Sequence, residues 1–266
     1  MNFLNRMKST CFILFLLPLT GLSQLRLAKI FSDNMILQRE QPVHIWGKGI
    51  PGKNVGVGFA DEVAIINIKQ DSTWMVAFSP QKANSNPQSL FVESAGEKIT
   101  LKNILIGDSW VCIGQSNMEW PVMKEIHFKE EVKNSDQPLL RFYNPAYAGK
   151  NIFGTTFSDS VAQLLTKDNF YNGQWQSCDS NTFKTMSAVA YYFGKKVTGT
   201  VNVPIGLINL SIGGAPLETF ISKDALKSSK KFDSKLKGDW LNNDVLPVWV
   251  RERGSQNVGT ISNVEA

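Results

Sequence analysis

The chain has 266 residues, a formal charge of +5 at neutral pH and three cysteines. This length suits one large domain or two ordinary ones, and the apolar fraction of 42% is typical of a globular protein with a buried core. The densest basic cluster, at 223–237, also contains acidic residues, which favours a solvated face over a nucleic-acid site. The cysteines lack metal-ligand spacing, so the sequence predicts no metal site.

The first 23 residues have the pattern of a secretory signal peptide. Arg6 and Lys8 give a basic start, and the apolar stretch at 11–19 is too short to span a bilayer. Small residues at 21–23 permit cleavage before Gln24. We therefore expect a secreted or periplasmic protein with no stable membrane insertion after cleavage.

Residues 24–104 have the pattern of an all-β domain. Short alternating or β-branched runs are separated by turn residues, among them the segments 49–52 and 84–87. The pattern predicts strands at 43–46, 55–59, 63–68, 74–78, 90–93 and 99–101. Strands spaced this closely are typical of a small antiparallel β-sandwich. His44 lies within the first strand and is expected to be an ordinary sheet residue.

The pattern changes to α/β over residues 105–266. Strands are predicted at 110–113, 139–143 and 205–210, and apolar side chains with helical spacing predict a helix at 186–198. This order of strands and helix is the one that a parallel α/β sheet produces. Open sheets of this kind bind ligands beyond the carboxyl ends of their strands.

The segment 106–121, I-G-D-S-W-V-C-I-G-Q-S-N-M-E-W-P, contains the candidate nucleophile, Ser116. This serine follows the strand at 110–113 on a sharp turn, just before residues that can begin a helix. In such a turn the hydroxyl is exposed at the sheet edge and the N–H points toward an acyl oxygen, as a serine esterase requires. The alternative is a plain surface turn. Ser109, in G-D-S, precedes the strand and is expected at its wrong end.

Two glycines, Gly213 and Gly214, follow the strand at 205–210 and are candidate oxyanion-hole donors alongside Ser116. Glycine lets backbone N–H groups approach a developing oxyanion without a side chain in the way. Supporting roles are assigned to Gln115, Asn117 and Glu218, in the serine turn and in the loop after the glycines. The alternatives are an ordinary turn and ordinary helix-start residues.

The general base is difficult to find. The chain has two histidines, His44 and His127, and His127 lies in a polar segment shortly after Ser116. No histidine occurs late in the chain, where the triad order of α/β hydrolases would place it. The residues alone therefore identify a nucleophile without a partner.

These motifs resemble the N-terminal part of the bacterial sialate O-acetylesterases, a branch of the SGNH (GDSL-like) hydrolases. The most specific match is G-Q-S-N-M-E-W, and the similar segments run through nearly all of the chain after residue 23. They comprise 31–39, 43–47, 104–121, Trp175, 187–194, 202–209, Gly213, Gly214, Glu218 and 247–251.

The resemblance implies a secreted carbohydrate esterase that removes O-acetyl groups from sialic acids, free or in glycans, without metal or cofactor. The fold would be an α/β flavodoxin-like SGNH-hydrolase domain preceded by the small antiparallel β-sandwich. Ser116 matches the family nucleophile and one oxyanion donor, and the pair Gly213 and Gly214 matches the block that supplies another. Ser116 would attack the acetyl carbonyl, a histidine would accept its proton, and water would hydrolyse the acetyl-enzyme.

The chain departs from the family pattern in two places. Ile212 and Ala215 stand where the family usually has tryptophan and threonine beside the glycine pair. The family's third block, similar to W-Y-Q-G-E-S-N, and its late D-x-x-H pair have no counterpart. We therefore expect the domain at 105–266 to be incomplete and C-terminally truncated, and the chain to be weakly active or inactive, because triad loss costs orders of magnitude in rate.

Two alternatives to a sialate esterase stay open from the sequence. One is an acetylxylan-type deacetylase that uses the same mechanism on plant polysaccharide, and the other is a non-catalytic, secreted sugar-binding remnant. The sequence also leaves open the preferred acetyl position, the oligomeric state and whether Cys112 and Cys178 form a disulfide.

Overall fold

The computed structural model describes residues 25–152, 155–236, 248, 251–252 and 254–255. The expected signal peptide lies outside these residues, as do positions 247, 249 and 250 of the last similar segment. The described chain is a mixed α/β fold dominated by strands. No helix in this part of the chain combines the length and apolar character needed to cross a membrane.

The strands and helices are numbered in chain order. The strands are β1 (Arg26–Leu27), β2 (Ile36–Gln38), β3 (Val43–Lys48), β4 (Asn54–Phe59), β5 (Glu62–Asn67), β6 (Thr73–Phe78), β7 (Asn84–Ser94), β8 (Glu97–Cys112), β9 (Gln137–Tyr143), β10 (Ala146–Tyr147), β11 (Tyr171–Asn172), β12 (Trp175–Cys178) and β13 (Ile205–Asn209). The α-helices are α1 (Ser116–Glu119), α2 (Phe128–Glu131), α3 (Asp159–Ala162), α4 (Ala188–Val201), α5 (Lys223–Lys227) and α6 (Asp233–Leu236). Single 3-10 turns occur at Val122–Lys124, Val132–Asn134, Phe183–Thr185, Leu217–Phe220 and Lys230–Phe232.

The long strand β8 connects the antiparallel and parallel parts of the fold. Its first half pairs antiparallel with β7, and its second half pairs in parallel with β13. It lies within a sheet of order β12-β9-β13-β8-β7-β4-β5, and β2 adds a short parallel pairing to it. The expected domain boundary between residues 104 and 105 falls inside this strand.

The motif at 31–39 packs along the middle of β8. Its central strand, β2, pairs with β8, and Arg39 and Asp108 form a two-pronged ion pair with distances of 2.8 and 3.1 Å. The backbone N–H groups of Asn34 and Lys102 each find an acceptor in the other segment. The motif therefore fixes the chain against the middle of β8.

All six strands predicted in the first part are confirmed, with changed ends. Strands β3 and β6 pair antiparallel in a three-stranded sheet with β1, while β4, β5 and β7 belong to the larger sheet. Alternate residues of both sheets, such as Ile45, Val57 and Val92, are buried in one cluster. His44 lies in β3 with its side chain exposed, as expected.

The prediction of a turn at 84–87 is wrong. These residues begin β7, and the pairing with β8 changes register between Asn84 and Leu90. Such an irregularity lets a strand contain Pro87 and a polar run, because a bulge interrupts the regular ladder of hydrogen bonds. The turn-forming residues at 84–87 therefore belong to an irregular strand and not to a turn.

The parallel arrangement predicted in the second part is confirmed. Strand β13 lies between β8 and β9 and is parallel to both, and helix α4 occupies the predicted position between β9 and β13. The Ser187 side chain accepts a hydrogen bond from the N–H of Ala190 at the start of α4, and Asn202 ends it in the left-handed conformation. Tyr191 and Leu207 are fully buried where the helix packs on the sheet.

Cys112 and Cys178 are both buried and do not form a disulfide. Burial raises the pKa of the Cys112 thiol to about 11 and, as the largest cause, that of Cys178 to about 12. Both groups therefore stay protonated in neutral solution and behave as small core side chains.

The close packing at Gly107 predicts that one added methyl group in β8 lowers the stability of the fold. A Cβ at this position would lie 1.9 Å from the carbonyl oxygen of Pro204, whereas a Cβ on Gly199, in α4, would meet open space. We expect Gly107→Ala to lower the free energy of unfolding by about 2–3 kcal/mol, because the backbone must move. Gly199→Ala, the matched control, should raise it by about 0.5–1 kcal/mol through helix propensity. Urea denaturation measures both, and equal effects would contradict the close packing at Gly107.

Candidate active site

The candidate nucleophile lies on a sharp turn at the end of β8. The strand ends at Cys112, Gly114 has a φ of +149°, and α1 begins at Ser116. A Cβ on Gly114 would lie 3.0 Å from the Met118 side chain. The turn therefore favours glycine for two reasons, the positive φ and the close approach of Met118. The predicted order of strand, turn and helix is confirmed, and Ser116 is exposed.

The side chain of Gln115 caps the start of α1. Its Oε1 accepts hydrogen bonds from the backbone N–H of Ser116 at 3.4 Å and from the Ser116 hydroxyl at 3.0 Å. The hydroxyl of Ser116 therefore donates to a neutral amide oxygen. An amide orients the serine but has no basic site to accept its proton at neutral pH.

The segment after α1 is tied to the start of α4. The N–H of Ala188 donates to the carbonyl of Trp120 at 2.8 Å, and the Ser187 hydroxyl contacts the Met118 sulfur at 3.4 Å. Since α1 is a single turn, these contacts with a longer helix supply the support that its own hydrogen bonds cannot.

The structure brings Gly213 next to Ser116. Beyond the end of β13, the N–H of Ile212 still donates to the carbonyl of Gly114 at 3.0 Å, which extends the parallel pairing into the loop. A Cβ built on Gly213 would lie 4.0 Å from the Ser116 Oγ. Gly214 follows with a φ of +80°, and its Cβ position meets open space.

Glu119 joins the glycine loop to the serine turn. Its Oε2 accepts a 2.6 Å hydrogen bond from the N–H of Gly213, and its Oε1 lies 3.0 Å from the Lys150 Nζ and 3.2 Å from the Tyr147 hydroxyl. The Gly213 N–H, expected to face an oxyanion, therefore donates to this carboxylate. In the described part of the chain the N–H of Gly214 has no hydrogen-bond acceptor.

One feature of the sequence points to Glu119. It stands three residues after Ser116 in the motif G-Q-S-N-M-E-W, and residues three apart lie on the same side of a helix. The partners of this carboxylate, Tyr147, Lys150 and Gly213, are distant in sequence and carry no local signal.

Two tyrosines beside Glu119 remain neutral. Burial, and secondarily the Glu119 charge, raises the pKa of Tyr147 to about 12 and that of Tyr171 to about 12. Their phenols are therefore hydrogen-bond donors in neutral solution, and Tyr171 donates to the carbonyl of Leu210 at 3.0 Å. The antiparallel pair of β10 and β11, which carries both tyrosines, thus holds the start of the glycine loop.

Asn209, at the end of β13, is the centre of a second group of hydrogen bonds. Its Nδ2 donates to the Asn144 Oδ1 at 2.9 Å, and its Oδ1 accepts from the Ser211 hydroxyl at 2.7 Å. Asn144 in turn donates to the carbonyl of Thr185 at 2.9 Å. Asn209 and Ser211 are buried, so these satisfied polar groups fix the loop where it leaves the sheet.

The two histidines lie apart from this group. His127 is exposed at the start of α2, with its Nδ1 3.7 Å from Glu130, and His44 lies in the three-stranded sheet. Within the described ranges, no hydrogen bond or ion pair joins either histidine to Ser116. Asn117 is exposed in α1, and Glu218 lies in the 3-10 turn Leu217–Phe220.

Ser109 lies away from the turn. Its hydroxyl donates to the carbonyl of Ile36 at 3.3 Å, and its N–H donates to the Gln38 side chain at 2.9 Å. It therefore stabilises the contact between β8 and β2. Among the described residues there is also no group of three or more His, Cys, Asp or Glu side chains arranged to bind a metal ion.

No protein-family model matches the chain. Curated relatives named sialate O-acetylesterase do match it: those of Homo sapiens and Pongo abelii are each 32% identical over 217 residues, and that of Rattus norvegicus is 29% identical over 218 residues. Each match covers 76% of this chain, but only 40%, 40% and 38% of the respective relatives.

A solved structure is also similar. It is a carbohydrate acetylesterase from Xanthomonas citri, with a TM-score of 0.64 and 26% sequence identity, over 77% of this chain and 44% of that one. The chain thus spans about two fifths of the length of the relatives and solved structure that it matches. The resemblance seen in its motifs is confirmed to this extent: over about three quarters of its length the chain is similar to proteins named sialate O-acetylesterase, which here are mammalian, and to a solved carbohydrate acetylesterase.

Proposed function

We propose that the chain is a carbohydrate esterase that hydrolyses O-acetyl esters on sialic acids, with Ser116 as the nucleophile. The observation that supports this most is the meeting of an exposed serine hydroxyl and the glycine loop at the carboxyl edge of the sheet, where a Gly213 Cβ would lie 4.0 Å from the Ser116 Oγ. The names of the relatives, sialate O-acetylesterases and a carbohydrate acetylesterase, support the substrate class.

In the proposed reaction, the Ser116 Oγ attacks the acetyl carbonyl and the ester bond to the sugar oxygen breaks. The proton of the exposed serine hydroxyl passes through solvent water to that oxygen, so that the sugar leaves as an alcohol. Water then hydrolyses the acetyl-enzyme and releases acetate. The N–H of Ser116 supplies one contact to the oxyanion. Because the Gly213 N–H is engaged by Glu119, we assign the loop's contact to the N–H of Gly214 and a holding role to Gly213.

Glu119 is proposed as a positioning residue. Gly213 and Gly214 have no side chains with which to fix this part of the loop, so its position depends on backbone hydrogen bonds such as the one to Glu119. The Glu119 side chain is 22% exposed, and its negative charge is paired with Lys150. Because the acceptor is charged, its hydrogen bond to the Gly213 N–H is stronger than one between neutral groups. Loss of the negative charge should therefore loosen the loop relative to Ser116.

The proposed activity of this chain is weak, because within the described residues no base contacts the proposed nucleophile. The Ser116 hydroxyl donates to an amide oxygen, and the two histidines lie elsewhere in the fold. Removal of a triad member from a serine hydrolase leaves only a small fraction of its rate. The same observation favours the second candidate, a secreted protein that binds sugars without turnover.

The finer assignments of fold and location belong to the same proposal. We interpret residues 105–266 as SGNH-hydrolase-like and residues 24–104 as a small β-sandwich, which the two packed sheets of the first part support. Residues 1–23 are proposed to direct secretion, consistent with a glycan substrate outside the cytoplasm.

Removal of the Ser116 hydroxyl tests the nucleophile. Acetate release from O-acetylated sialic acid, acetylated xylan and p-nitrophenyl acetate is measured for the unaltered chain, Ser116→Ala and Ser109→Ala. We expect slow turnover with preference for the sialic acid, none above background in Ser116→Ala, and an unchanged rate in Ser109→Ala, whose hydroxyl contacts only β2.

Three results would contradict the proposal in different ways. Equal rates in Ser116→Ala and the unaltered chain would exclude Ser116 as the nucleophile. Preference for xylan would favour the acetylxylan-type alternative. Sugar binding with no turnover of any substrate would favour the non-catalytic candidate.

Neutralisation of Glu119 tests the positioning role. Glu119→Gln keeps the size of the side chain but removes its charge, and a hydrogen bond to a charged group contributes about 1.5–3 kcal/mol. We expect kcat for p-nitrophenyl acetate to fall about tenfold to hundredfold, with KM nearly unchanged. Glu130→Gln, an exposed change beside His127, is the matched control and should leave kcat unaltered.

A fall in thermal midpoint without a fall in kcat would show that Glu119 is merely structural. A loss of kcat in Glu130→Gln would instead implicate His127 in the reaction, because the Glu130 carboxylate lies 3.7 Å from its Nδ1.

A further inference from the structure

We propose that a cleft beside β12, distinct from the serine site, binds a sugar unit of an oligosaccharide. The cleft has a volume of about 520 Å³ and is lined by residues of the segments 27–32 and 172–176 and by Asn144. Strand β12 is the edge strand of the large sheet, so the cleft opens at the margin of the fold.

Amide side chains dominate the wall formed by the second segment. Asn172, Gln174 and Gln176 line the cleft, and alternate residues of an extended chain share a face. Trp175, between the two glutamines, is buried in the core on the opposite side. These three amides are exposed, and in the described part of the chain none of their side chains makes a hydrogen bond.

This set of groups suits a carbohydrate. Each amide presents both a donor and an acceptor in one plane, the combination that neighbouring sugar hydroxyl groups can satisfy. Phe31 adds an apolar surface, and its ring is held 4.5 Å, centroid to centroid, from Trp46. Lys29, which also lines the cleft, adds a positive charge that an acidic sugar would neutralise. A few polar groups that converge in a preformed concave site are typical of small-ligand binding.

Hydrogen bonds hold both walls of the cleft in place. The indole Nε1 of Trp175 donates to the carbonyl of Ile30 at 2.8 Å, and its backbone N–H donates to the Ser32 hydroxyl at 2.9 Å. Asn144 is bonded to Asn209, which holds the start of the glycine loop. Such walls lower the entropy cost of binding, since they are ordered before the ligand arrives.

The position of the cleft suggests how it would serve the esterase. The first residue of β12, Trp175, pairs with Tyr143 at the carboxyl end of β9, and Ser116 follows the carboxyl end of β8 in the same parallel arrangement. Strand β12 is the third strand from β8 in the sheet order, a separation of about 14 Å at the usual strand spacing. A sugar in the cleft is therefore a different unit from the acetylated one at Ser116, and this use rests on the proposed function.

The test measures binding without turnover. Sialyllactose is titrated into the Ser116→Ala chain, and its affinity is followed by saturation-transfer NMR. We expect the double variant Gln174→Ala and Gln176→Ala, in the same background, to bind about tenfold more weakly, the loss expected for one to two hydrogen bonds. Gln163→Ala, an exposed amide at the end of α3 and outside the cleft, should bind as before.

Equal affinities in the double variant and its parent, or no binding of sialyllactose to the parent, would overturn the proposal. Both glutamines are exposed, so the double variant should keep its thermal midpoint. If the midpoint falls, the affinities of the two single variants for sialyllactose provide the same test. The outcome is separable from that of the proposed function: loss of turnover in every assay, with binding that depends on the two glutamines, would reject the esterase and retain the cleft.

Discussion

The geometry of the candidate site depends on one hydrogen bond, from the N–H of Gly213 to the Glu119 carboxylate at 2.6 Å. Glu119 stands on the short helix that Ser116 begins, so this contact joins the nucleophile turn to the glycine loop. The same carboxylate contacts Lys150 and Tyr147, which brings a third segment to the site. Exposed glycines cannot fix their own backbone by packing. Without this acceptor, the glycine pair itself would have no side-chain contact that holds it beside the serine.

The sheet also fixes the position of the glycine loop relative to the serine turn. Parallel pairing of β8 and β13 places the two loops side by side, and the hydrogen bond from Ile212 to Gly114 extends that pairing beyond both strands. Asn209 then fixes the loop and connects it, through Asn144, to the amide-lined cleft at the same edge. One edge of the sheet thus carries the candidate nucleophile, the glycine loop and the polar cleft, an arrangement suited to the proposed binding of a glycan longer than one sugar.

Local periodicity predicted most of the secondary structure. Alternation identified β3 to β6, and helical spacing identified α4, because each element has one buried face. The continuity of β8 escaped prediction, since residues 104–107 are buried on both faces and the alternation stops there. The turn assigned at 84–87 failed because composition does not separate a turn from an irregular strand. The position of Ser116 was predictable from its turn, whereas the partners of Glu119 depend on tertiary contacts that no local pattern encodes.

The central claim is that Glu119 holds the Gly213 N–H in place beside Ser116. The most direct test is the amide proton chemical shift of Gly213, compared between the unaltered chain and Glu119→Gln. A short hydrogen bond to a carboxylate should move this proton far downfield, and the substitution should return it upfield while also perturbing the amide of Ser116. A Gly213 amide that resonates in the ordinary range and does not respond to the substitution would contradict the account.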